Sequence, residues 1–135
     1  MTRYQKGANA ERELIKILWA RGFSVVRSAG SGKSSLPCPD IVALGPNKKL
    51  AFECKAWGSN YLNIPIKQME EQMEWCRRAG AELFVVWKVS RQGFLFLPQK
   101  ELVNAGKSYV ISLKKAQSCA LDLGVVLGQQ AKLNL

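Results

Sequence analysis

Pro39-Asp40-Ile41-Val42-Ala43-Leu44-Gly45-Pro46-Asn47-Lys48-Lys49-Leu50-Ala51-Phe52-Glu53-Cys54-Lys55 is the stretch whose reading decides the fold. Two runs, Ile41 to Leu44 and Leu50 to Lys55, flank Gly45-Pro46-Asn47-Lys48-Lys49, a cluster of turn-forming residues, so the segment reads as a β-hairpin. Side chains alternate across a strand, which puts Glu53 and Lys55 on one face and Phe52 and Cys54 on the other. With the turn centred near Asn47, antiparallel pairing brings Asp40 beside the Glu53 to Lys55 segment. Two carboxylates and an ammonium then share one patch.

Clustered carboxylates repel one another unless a cation lies between them. Mg²⁺ suits such a pair, because it takes one or two carboxylates and fills its remaining octahedral positions with water and phosphate oxygens; Mn²⁺ is the natural substitute. Lys55 is then placed to orient or deprotonate a water. The plainer reading of the same three residues is a salt-bridge cluster on a solvated strand face.

Working towards the N-terminus, Phe23 to Arg27 reads as a short strand, followed by a Gly/Ser/Pro-rich loop from Ser28 to Pro39 that is expected to be mobile without a ligand. Before it, Asn9 to Arg21 reads as a helix, with Leu14, Ile15, Ile17 and Leu18 at helical spacing and Gly22 as its cap. Glu11 falls near the middle of the apolar stripe, with Leu14, Ile15 and Leu18, where an unpaired charge is expensive. Acids also favour a first helical turn, and both readings of Glu11 stay open. Gly32-Lys33-Ser34 resembles the end of a phosphate-binding GxxxxGK[ST] loop, but Arg27 replaces the first glycine and Pro37 and Pro39 stand where the helix should run.

Towards the C-terminus, Asn63 to Ala79 reads as a second helix, with Pro65 suited to its first turn, Ile66, Met69, Met73 and Cys76 on one side, and Gly80 at its end. Leu83 to Val89 is the strongest buried strand, Phe94 to Leu97 pairs beside it, and Ser108 to Ile111 adds a further short strand. Beyond Leu113 the pattern is ambiguous, and the apolar Leu121 to Leu127 segment reads as either core or a dimer surface. Helix, hairpin strands, crossover helix and further strands give an α/β fold, a mixed central sheet flanked by helices.

The 135 residues suit a single domain. Twenty Lys and Arg against ten Asp and Glu leave a net charge of +10, which favours a polyanion, nucleic acid first, although ribosomal and membrane-surface proteins are as basic. Arg3, Lys6, Arg12, Arg27 and Lys33 flank the predicted site and are the candidate phosphate contacts, each readable equally as a solvated surface charge. With no histidine, Ser-His-Asp and Cys-His catalysis are excluded and chemistry must run on carboxylates, lysine and a metal. Cys38, Cys54, Cys76 and Cys119 form no CxxC pair, so a zinc site is not expected and the thiols read as reduced and mostly in the core. No run of about 18 apolar residues and no signal-like segment is found, so a cytoplasmic protein with no membrane partner is expected.

Lys6-Gly7, Glu11-Arg12-Glu13-Leu14, Gly22-Phe23, Arg27-Ser28-Ala29-Gly30-Ser31-Gly32, Pro39-Asp40-Ile41-Val42-Ala43 and Glu53-Cys54-Lys55 occur in an order that resembles the archaeal Holliday-junction resolvase family, within the PD-(D/E)xK nucleases. The match runs from Lys6 to Val89, and after Gly106 no motif maps. The resemblance implies a restriction-endonuclease-like fold in which Glu11, Asp40 and Glu53 form the acidic metal-binding set and Lys55 is the catalytic lysine. Ser31 matches a serine that assists the chemistry, and Gln68 matches a position that faces the site in related nucleases. It further implies a Mg²⁺-dependent homodimer making paired nicks in a four-way DNA junction during recombination and repair. A sliding clamp or a branch-migration helicase is a candidate accessory partner. A C2 dimer presents two active sites at equivalent phosphates of a roughly two-fold junction. Two alternatives remain: another PD-(D/E)xK nuclease for duplex or flapped DNA, and a non-catalytic DNA-binding module, against which the intact acidic and lysine set argues.

Overall fold

A computed structural model describes residues 2–28 and 36–129. The expected mobile loop falls largely on residues 29–35 and, with Ser31, Lys33 and the Gly32-Lys33-Ser34 motif, lies outside the described residues.

The hairpin forms as the turn chemistry requires. Strands β2 (Ile41–Gly45) and β3 (Lys48–Lys55) pair antiparallel, with Gly45 opposite Lys48 across a two-residue Pro46-Asn47 turn and Ile41 opposite Phe52. Gly45 is needed there because a Cβ would stand 2.9 Å from the Phe23 ring. Strand β1 (Ser24–Arg27) adds outside β2, and β5 (Glu82–Val89) lies parallel to β3 on its other side. Strand β6 (Gly93–Pro98) closes the far edge, giving a five-stranded mixed sheet in the order β1-β2-β3-β5-β6.

Both faces of this sheet are covered, and alternation decides which residue goes where. On one face Phe52 of β3, Phe84 and Val86 of β5 and Phe96 of β6 share a core with Leu14 and Leu18 of α1 (Arg3–Ala20). On the other, Val85, Trp87 and Val89 of β5 pack with Met69 of α2 (Ile66–Ala79) and with Leu62, Ile64 and Ile111. Burying each such side chain contributes about 1.5–3 kcal/mol. Val126 and Leu127 belong to the first core, beside a bridge between Leu121 and Phe96, so most of the apolar 121–127 segment packs inwards; Val125 is exposed.

Two elements differ from the sequence-based expectation. Helix α1 begins at Arg3 rather than Asn9, because Thr2 and Gln5 form a reciprocal capping box: Gln5 N–H donates to Thr2 Oγ1 at 3.1 Å, and Thr2 N–H to Gln5 Oε1 at 2.9 Å. Residues 63–65, expected to be helical, belong to strand β4 (Tyr61–Pro65), and α2 starts only at Ile66, ending at Gly80 in the left-handed conformation (φ 68°). The strand expected at Ser108 to Ile111 forms as β8 (Ser108–Ser112). It lies between β4 and β7 (Val103–Asn104) in a second, three-stranded sheet. The ambiguous end resolves into α3 (Leu113–Cys119) and α4 (Leu123–Val126). Among the described residues no helix is long and apolar enough to cross a membrane.

Candidate active site

Asp40 immediately precedes β2, so the hairpin register sets it against the end of β3, where Cys54 N–H donates to Asp40 Oδ2 at 2.9 Å. Glu53 and Lys55, two residues apart on β3, share a face, and Lys55 Nζ lies 3.3 Å from Glu53 Oε2. Phe52 turns to the opposite face and its core. Strand alternation therefore separates the chemistry from the packing within three consecutive residues.

Glu53 is only 1 % exposed, and its two carboxyl oxygens differ. Oε2 meets Lys55 and accepts a 2.6 Å hydrogen bond from Gln68 Nε2 on α2, while Oε1 is buried with no hydrogen-bond partner. Burial first, and then the charge of Asp40, push the Glu53 carboxyl up to about 8, with Lys55 pulling the other way. Asp40 is raised too, chiefly by burial, against the pull of the Cys54 N–H and of Lys55. Burial raises both carboxyls, and the two titrate as a pair.

Glu11 stands in the third turn of α1, and the first turn carries no acid, so helix-start electrostatics do not explain it. What offsets its cost is Arg27, whose Nε donates to Glu11 Oε1 at 2.8 Å across 16 residues of chain. Even so, burial and then Asp40 hold the Glu11 carboxyl above its ordinary range. The three acids thus act on one another, Asp40 on Glu11 and on Glu53, and Glu11 on Glu53.

Two side chains of α2, one turn apart, brace this arrangement. Gln68 holds Glu53, and Gln72, only 6 % exposed, donates from Nε2 to the Cys38 carbonyl at 3.1 Å. Gln72 was not singled out from sequence, where it reads as one more polar residue of a charged helix. Its signal is a spacing of four from Gln68, which places both amides on one helix face.

A divalent cation fits the donor set: hard carboxylate oxygens, one of them buried and unpartnered, in a site whose acids resist ionising together. Among the described residues no three of them stand close enough to form a finished cage. A hard cation of this kind needs only one or two carboxylates, with water and substrate oxygens completing its shell.

Of the expected phosphate contacts, Lys6 and Arg12 are exposed on α1, while the Arg27 guanidinium is engaged by Glu11. Arg3 begins α1, and Lys33 lies outside the described residues. The four cysteines are free: Cys76 is buried, Cys54 and Cys119 are half-buried against the two cores, and only Cys38 is exposed, departing from the expectation of thiols mostly in the core.

Residues 2–133 match the family model described as archaeal Holliday junction resolvase (Hjc). The crossover junction endodeoxyribonuclease Hjc of Archaeoglobus fulgidus is 35% identical over 124 residues, 92% of this chain and 90% of that protein. The Methanocaldococcus jannaschii protein of the same description is 30% identical over 133 residues, 98% of this chain and 95% of its own. The solved structure of A. fulgidus Hjc superposes with a TM-score of 0.81 at 34% identity, covering 88% of this chain and 96% of the other. A bacterial homing endonuclease superposes with a TM-score of 0.59 at 15% identity, over 95% and 94% of the two chains, and shares the restriction-endonuclease-like fold.

Proposed function

The chain belongs to the archaeal Holliday junction resolvase family, and from that membership we propose that it is an endonuclease that resolves four-way DNA junctions by hydrolysing phosphodiesters with a divalent cation. The observation that carries the reading is the convergence of Asp40, Glu53 and Lys55 at the paired ends of β2 and β3, with Glu11 acting on both acids. A surface salt-bridge cluster does not account for a carboxyl 1 % exposed and pushed up to about 8.

In this reading Asp40 and Glu53, with Glu11 beside them, hold Mg²⁺ or, in its place, Mn²⁺. The cation supplies charge to stabilise the transition state and makes a water more acidic. Lys55 positions that water against the phosphorus and donates to a phosphate oxygen as negative charge develops there. Gln68 keeps Glu53 in its rotamer through the 2.6 Å hydrogen bond. Ser31 is assigned a supporting role in the chemistry on the family resemblance alone. Lys6, Arg12, Arg3 and Lys33 contribute to binding the sugar-phosphate backbone, and Arg27 acts first by holding Glu11. The active unit is a homodimer, since paired nicks across a two-fold junction need two sites.

The test is cleavage of an end-labelled synthetic four-way junction beside a plain duplex and a flap, with Mg²⁺ and with EDTA. Metal-dependent, symmetric nicks in the junction alone are expected. Equal cutting of all three substrates would leave a nuclease without junction preference, and binding without cutting would leave a DNA-binding module. Asp40→Asn is expected to abolish cleavage while keeping junction affinity; full activity in that variant removes Asp40 from the site.

A further inference from the structure

Beside the acidic cluster, where the chain leaves the end of β3, there opens a cleft of about 300 Å³ that the chemistry described so far does not use. One wall is Trp57 and Gly58, which follow Lys55 almost directly; Lys6 of α1 and Arg91 of the turn between β5 and β6 stand at the others. Lys88 and Glu13 also line it, as a pair, with Lys88 Nζ 3.2 Å from Glu13 Oε2 and 4.5 Å above the Phe94 ring. Three cations against one acid leave the cleft basic, and Glu13 already occupies Lys88.

Two features show that this cleft is held in shape. The Trp57 carbonyl accepts a 3.1 Å hydrogen bond from the indole N–H of Trp87, which is wholly buried, so the segment leaving Lys55 is pinned to the core. Arg91 is the one non-glycine among the described residues with positive φ, at 65°. A left-handed arginine is disfavoured, and such strain persists only where the surrounding structure holds it.

The cleft lies at the small end of the range for ligand sites, too narrow for duplex DNA. We propose that it takes one unstacked nucleotide of the substrate strand, next to the scissile phosphodiester, with the phosphate between Lys6 and Arg91 and the base on the wall formed by Trp57 and Gly58, where Trp57 is partly buried against the second core. This deepens the nuclease reading and rests on it. Bases in duplex DNA must be unpaired and unstacked before entering such a pocket, at a cost that is lower beside a branch point, where stacking on one side is already interrupted. The cleft would therefore discriminate branched from linear DNA, which the acidic cluster alone does not do.

The experiment is equilibrium binding in EDTA, where nothing is cut, to a four-way junction carrying 2-aminopurine at single positions flanking the branch point, and to a duplex of the same length. Arg91→Gly removes the guanidinium while relieving the left-handed backbone, so its folding is not in doubt. It is expected to weaken junction binding about tenfold and to leave duplex binding unchanged. One 2-aminopurine position should change emission on binding, and that signal should vanish in Trp57→Ala and survive in Trp57→Phe. Variants that bind the junction as the parent does, or that lose junction and duplex alike, overturn the proposal. Cleavage by the parent protein in Mg²⁺ scores the nuclease reading separately. A parent that cuts nothing yet shows the position-specific signal would sink that reading and leave the cleft standing.

Discussion

At Glu53 the chain places a carboxyl where water barely reaches and a second acid faces it, so in the metal-free protein the proton stays on to about pH 8 instead of leaving near 4.5. A raised folded-state value means stability that is complete below the unfolded value and is lost as pH rises through the folded one. The melting temperature in EDTA should therefore fall between about pH 5 and pH 8. Mg²⁺ should raise it far more at pH 8 than at pH 5, and Glu53→Gln should flatten the pH dependence; a flat profile for the parent in EDTA would refute the buried proton. Gln72 makes a different prediction, because it touches the Cys38 carbonyl rather than an acid. Gln72→Met should cost under about 1 kcal/mol of stability, since the exposed Cys38 can turn its carbonyl to water. It should lower kcat by roughly ten- to a hundredfold through a misplaced Asp40, read as a fall in kcat with junction affinity kept. Asp40, Glu53 and Lys55 were legible in sequence because strand alternation and a short turn bring them together locally. The Arg27 pairing of Glu11 was not, since only tertiary packing closes those 16 residues.

Among the elements, β4 shows where propensity misleads. Pro65 suits a first helical turn, yet Tyr61–Pro65 alternates exposed and buried, with Leu62 and Ile64 inside, and pairs with β8. Residues 61–65 carry a period of two that five residues before a strongly helical run are too few to assert. Ile64→Ala should cost about 2–5 kcal/mol, the figure for a filled core position, whereas the flank of a helix would lose far less; urea unfolding separates the two. At α1 the apolar spacing supports a helix only from Asn9, and the earlier start lies in Thr2 and Gln5, whose spacing is that of a capping box and whose helix runs on through Gly7. The parallel pairing of β3 with β5 is what the expected crossover helix and mixed sheet imply, whereas its register, set by the crossover through β4 and α2, was not readable from local pattern.

Taken whole, the molecule carries +10 on 135 residues, so its hold on DNA should be governed by counterion release. Arg12→Ala should lower the slope of log affinity against log salt by about one, without altering metal-dependent cleavage at saturating protein; an unchanged slope would remove Arg12 from the DNA surface. One core joins Leu14 and Leu18 near the start of the chain to Val126 and Leu127 far along it. During synthesis the hairpin and β5 can emerge and pair while that core still lacks its last members. That core thus stays unsealed until Leu127 has cleared the exit tunnel, and only then can it finish folding.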